Sequence, residues 1–149
     1  MFKKVIVVVT IISSILLLGC ASVPMASKEE DLALKNFPPP PSGMAGLYIY
    51  RNSFVGQSLY KDVYLDSVFI GETANQVYFY KVISPGSHYL GTESEFGDNW
   101  ISFEADSGKN YFAEQYIKMG VFVGGAGIEM VDEKVGMEEV LECSLAKHE

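Results

Sequence analysis

The sequence predicts an all-β domain, a small antiparallel β-sandwich closed by a short C-terminal helix. Three observations carry this. Between Ala45 and Val131 the chain runs in short, period-two stretches rich in Tyr, Phe, Val and Ile, the composition of half-buried strands. Gly, Pro, Asp and Ser punctuate these stretches, as turns between strands require. From Asp132 to Leu145 the alternation stops and helix-forming residues take over, with Asp132-Glu133 suited to a helix N-terminus.

The chain starts differently. Lys3-Lys4 precedes an apolar run from Val5 to Gly19, which is shorter than the ~20 residues a helix needs to cross a bilayer. A basic start, a moderate apolar stretch and a small residue before the cut describe a secretory signal peptide. Leu17-Leu18-Gly19-Cys20 resembles a bacterial lipobox, in which the cysteine thiol is diacylated, the chain is cut before it, and the new amine is acylated in turn. Several acyl chains, such as palmitate, on one residue anchor a protein stably where a single chain would not. An uncleaved anchor helix is the competing reading. Cleavage between Gly19 and Cys20 makes residues 1–19 the signal peptide, 20–42 a lipidated tether and 43–149 the folded domain. Ala21 follows the cysteine where an aspartate would signal inner-membrane retention, so the expected location is the outer membrane, facing the periplasm.

Cutting there leaves 130 residues, enough for one modest core. Loss of Lys3 and Lys4 leaves nine basic residues against nineteen acidic, a net charge of −10. That balance disfavours nucleic acid and anionic headgroups, both of which are read by clustered Lys and Arg. Of the two cysteines, Cys143 has no intramolecular partner once Cys20 is lipidated. It is read as a small buried residue, with an intermolecular disulfide as the sharper alternative.

Within the tether, Ser27-Lys28-Glu29-Glu30 matches a capping box and predicts a short helix over about residues 28 to 36. Pro38 to Pro41 ends it and favours extended polyproline II geometry. Two readings stay open: a stiff spacer that lifts the domain off the membrane, or a segment packed along the domain. Strands follow at Leu47–Arg51, Asp62–Asp66, Val68–Gly71, Gln76–Val82, His88–Ser94, Trp100–Glu104 and Asn110–Ile117. Asp66-Ser67, Pro85-Gly86 and Asp106–Lys109 are the expected turns. Val121–Val123 and Ile128–Val131 read as strands joined by Gly124-Gly125-Ala126-Gly127. Gly136 weakens the terminal helix by roughly 1 kcal/mol relative to alanine.

Little of this carries chemistry. His88 and His148 are the two histidines, and the nucleophile elbow and zinc-helix motifs are missing. Glu93, Glu95, Asp98 and Asn99 supply oxygen ligands but not the spacing of a calcium loop, so no metal or other cofactor is expected. The glycines from Gly120 to Gly127 lack the Lys-Ser or Lys-Thr of a phosphate loop. The remaining lead is aromatic. In Tyr48-Ile49-Tyr50 and Tyr78-Phe79-Tyr80, the paired tyrosines share one face and the middle residue takes the other. If Ile49 and Phe79 fill the core, Tyr48, Tyr50, Tyr78 and Tyr80 form an outer face able to seat a protein or stack on sugar rings.

Ala45-Gly46-Leu47-Tyr48-Ile49-Tyr50-Arg51, Asp62–Asp66 with Ile70-Gly71, Pro85-Gly86-Ser87-His88 and Lys118-Met119-Gly120 occur in that order. Together they resemble the bacterial lipoproteins of domain of unknown function 2846, over about residues 38 to 145. The stretch from Val63 to Leu90 also looks like a PEGA-type surface module, with Ser67 where that pattern has glycine. The resemblance implies a small β-sandwich at the cell envelope and no assigned activity. The expected role is a non-enzymatic, lipid-anchored protein-interaction module with an envelope protein as partner. A carbohydrate- or peptidoglycan-binding module using the four tyrosines is the alternative, and an envelope hydrolase comes third.

Overall fold

The computed structural model describes residues 23–94, 97–120 and 124–148; Gly19, Cys20 and the signal segment lie outside them. In chain order the elements are α1 (Lys28–Leu34), β1 (Ala45–Arg51), β2 (Lys61–Leu65), β3 (Val68–Thr73), β4 (Val77–Ile83), β5 (Gly86–Ser94), β6 (Gly97–Ala105), β7 (Asn110–Lys118), β8 (Gly125–Val131), α2 (Glu133–Leu141) and β9 (Ser144–Leu145). They build two sheets, one ordered β8-β7-β1-β4-β9 and one ordered β3-β2-β5-β6. The second sheet is antiparallel throughout. The first is mixed: β1 runs antiparallel to β4 but parallel to β7, and β4 runs parallel to β9. Alternation fixes which way a side chain points, not which strand becomes the neighbour. Here the chain leaves β4, builds β5 and β6 in the other sheet, and returns beside β1 from the opposite edge.

The two faces of the first sheet belong to different cores. Leu47 and Ile49 of β1, Phe79 and Ile83 of β4, and Ala113 of β7 point inward to meet Val63, Ile70 and Leu90 of the second sheet. Tyr48, Tyr50, Tyr78 and Phe112 point outward into a second buried cluster with Val140, Cys143 and Leu145. The molecule is therefore a sandwich with a third, helical layer.

That third layer explains the N-terminal segment. Ser27 caps α1 as expected: its hydroxyl accepts from the Glu30 N–H at 3.2 Å, and Glu30 Oε2 accepts from the Ser27 N–H at 3.0 Å. The helix and the residues around it then run along the domain, which decides between the two readings for residues 23–42. From Val23 onward this is not a free spacer. Ala26 donates to the Leu145 carbonyl at 3.0 Å, Asn110 Nδ2 to the Pro38 carbonyl at 3.0 Å, and Phe37 packs against Tyr48 and Phe112. Leu34 and Phe37 supply the apolar face that the sheet needs covered.

At the other end Gly136 has a structural reason. A Cβ there would lie 2.3 Å from the Phe112 Cβ, so glycine lets α2 sit directly on the sheet. The turn at Asp66-Ser67 forms with both residues at positive φ, +51° and +69°, the conformation of a type I′ hairpin.

Candidate functional site

The alternation of the tyrosines holds, but their exposure does not. Tyr48, Tyr50 and Tyr78 share the outer face of the first sheet and are fully buried there. The expected aromatic surface is covered by α1, Phe37 and α2. Tyr48 stacks on Phe112 at 5.0 Å and donates to the Leu34 carbonyl at 3.0 Å; Tyr78 donates to the Asp31 carbonyl at 3.4 Å. Burial pushes all three phenols well above the ordinary tyrosine range. Of the four, Tyr80 alone is half-buried and reaches an accessible groove. With Tyr48, Tyr50 and Tyr78 buried, the face cannot stack on sugars, the alternative reading, because a large amphipathic surface finds a cover within its own chain.

The groove that keeps Tyr80 accessible holds about 490 Å³ and runs between α1 and the C-terminal tail. Ala33 and Leu34 line one wall, Leu145 and Ala146 the other, with Glu30 and Lys147 also at its lining. It lies where a sheet edge is left open. β9 covers only Val77 and Tyr78 of β4, while β4 continues to Ile83. Ser144 N–H donates to the Gln76 carbonyl and Ala146 N–H to the Tyr78 carbonyl, so even-numbered residues of this stretch turn their backbone groups outward. Tyr80 and Val82 follow in that alternation with no strand opposite them among the described residues, and Val82 is 43% exposed. An open edge carrying donors and acceptors is a template for an added strand.

The other candidates resolve into structural roles. His88 is buried, with Nδ1 2.6 Å from Asp66 Oδ2 and Nε2 2.8 Å from the Ser84 carbonyl. Burial alone would lower its pKa. The bonds to Ser84 and Asp66 and the nearby acidic charge outweigh it and raise the value. A carbonyl and a carboxylate only accept, so both ring nitrogens are best used as donors, and neither is free to take a proton from a serine. Glu93 pairs with Lys61 at 3.1 Å, and Asn99 Nδ2 donates to the Ala126 carbonyl. Among the described residues no group of three or more His, Cys, Asp and Glu could hold a metal. Gly125 and Gly127 lie inside β8 rather than in a turn, and a Cβ at Gly127 would meet the Tyr116 ring at 2.5 Å. Cys143 is buried against the Arg51 carbonyl, and burial pushes its thiol up to about 12, which disfavours a disulfide with another chain.

Arg51 was not singled out from the sequence. It is fully buried, with one nitrogen on the Leu59 carbonyl at 2.6 Å and burial drawing its pKa down to about 10. The signal was present: Arg51 follows Leu47 and Ile49 at the same parity, which places it on the inward face.

The fold and groove define a class, a helix-covered β-sandwich with an open sheet edge beside its N-terminal helix. The chain belongs to the family described as protein of unknown function (DUF2846), which matches residues 41–126. It is also similar to an uncharacterized protein of Haemophilus influenzae, 50% identical over 133 residues that cover 89% of this chain and 79% of that one. No solved structure matches it. No helix among the described residues is long and apolar enough to cross a membrane.

Proposed function

We propose that this protein is a lipid-anchored, non-enzymatic interaction module of the bacterial envelope, held to the outer membrane through Cys20 and facing the periplasm. Its partner is an envelope protein that lays an extended segment along the open edge of β4. The observation that carries this reading is that edge: Tyr80 and Val82 offer outward backbone groups beside a groove of about 490 Å³. The lipobox around Cys20 supports the anchor. Main-chain hydrogen bonds to such an edge supply affinity, and alternate side chains entering the groove supply selectivity.

A photo-crosslinking residue at Val82 in intact envelopes tests the partner. The expected result is one discrete adduct, lost when Tyr80→Pro removes an outward N–H, and missing when the probe is moved to Val68 on the second sheet. No adduct at Val82, or equal adducts at both positions, overturns the edge reading. Mass spectrometry of the mature N-terminus tests the anchor, and an unmodified Cys20 ends it.

A further inference from the structure

On the outer face of the first sheet, away from the β4 edge, the register sets three side chains in one row. Tyr50 of β1 lies opposite Glu114 of β7, and Glu114 lies opposite Glu129 of β8. Partners in register on neighbouring strands share a face. α2 adds Glu139 above this row, its Oε2 accepting from Asn52 Nδ2 at 2.8 Å. Like charges so placed repel, and among the described residues no Lys, Arg or His forms an ion pair with any of the three. Burial raises the Glu114 carboxyl, and Glu129 and Glu139 raise it further.

The second observation is the hydroxyl of Tyr50. The residue is fully buried, and its Oη has no hydrogen-bond partner among the described residues. Burial raises this phenol most, followed by Glu114 and Glu139, which sets the hydroxyl within the field of the acidic row. A buried hydroxyl left without a partner costs about 1–3 kcal/mol, so something that completes it is favoured. Among the described residues no group of three or more acids could hold a metal ion. A larger cation with several N–H donors fits both needs, giving charge to the carboxylates and a hydrogen bond to the phenol oxygen.

We propose that the notch formed by Glu114, Glu129 and Glu139 over Tyr50 receives a cationic side chain, lysine or arginine, from a protein partner. This rests on the reading of the domain as a protein-binding module and names the chemistry of its partner. β7 lies two strands from β4, a separation of about 10 Å, so one partner reaches both the edge and the notch.

Butylammonium and butylguanidinium chloride, added to the full chain at ionic strength matched with potassium chloride, test the notch. Carboxyl-carbon NMR of Glu114 gives the readout. A saturable shift is expected, with the Glu114 titration midpoint moving to lower pH, because a bound cation stabilises the carboxylate. Glu129→Gln, at an exposed position, should weaken the probe by roughly fivefold, the scale of one exposed ion pair. Tyr50→Phe should weaken it as well. A response equal to that of potassium chloride, or one unchanged in both variants, overturns the notch. Tighter saturation by calcium chloride does the same, in favour of a metal. If the probes bind while the Val82 crosslink fails, the cation site stands and its protein source falls. If the crosslink forms and the probes fail, the notch alone falls.

Discussion

β1 and β4 contribute to two cores, and the two are built on different principles. On the inner face, Ile49 and Phe79 meet aliphatic side chains of the second sheet, and packing alone holds them. On the outer face, Tyr48 and Tyr78 meet two helices and bond through their hydroxyls to the backbone of α1. The inner core needs only the strands. The outer one depends on α1 and Phe37, which come before the first strand in the chain and return to cover the tyrosines.

The largest test of this comparison removes a ring from each side. Phe79→Ala should cost about 3–5 kcal/mol in denaturant unfolding, the range for emptying a packed aromatic site. Tyr48→Ala should cost a similar amount, since both residues are almost wholly buried. A loss below about 0.5 kcal/mol for Tyr48→Ala would return the tyrosines to the surface.

Tyr48→Phe isolates the hydroxyl. Losing its bond to the Leu34 carbonyl should lower stability by about 1 kcal/mol, whereas the aliphatic core has no equivalent substitution. Ser27→Ala removes the cap of α1 and should cost about 1 kcal/mol. Hydrogen exchange distinguishes where it acts. Protection should fall in α1 while the amides of β1 and β4 that bond each other keep theirs. Equal loss in the sheet would mean that the two cores unfold as one.

The smallest effect concerns the second sheet, where His88 joins the Asp66 turn to β5. Its folded pKa lies above the ordinary 6.5, so the folded state binds the proton more tightly. The resulting stability is complete below the unfolded pKa and is lost as pH rises through the folded one. Unfolding measured across this range should show that decline in the native chain, and Asp66→Asn should flatten it. An unchanged slope in the variant would remove Asp66 from the account.

Local features were legible because they are written over a few residues. Period two located β1 to β7, and Ser27 with Glu30 announced α1. Asp132 marked the start of α2, and its side chain does accept from the Lys134 N–H at 3.0 Å. The parity of Tyr48 against Ile49 was legible too. What parity could not say is whether the tyrosine face meets water. A phenol suits either outcome, being apolar along the ring and polar at its tip.

The sequence by itself determined β1 to β7, the Asp66-Ser67 turn, the N-caps of both helices and the alternation of side chains along these strands, since sterics and capping act between near neighbours. The start of β8 at Gly125 and the strand β9 escaped it. Tertiary structure alone decided that β1 pairs with β7 in parallel, that β9 covers only two residues of β4, and that α1 closes over the tyrosines. Those outcomes rest on contacts such as Tyr48 with Leu34, 14 residues apart, and Leu145 with Asp31, 114 apart. Local pattern has no access to such partners, because each face is buried only when a distant part of the chain returns to cover it.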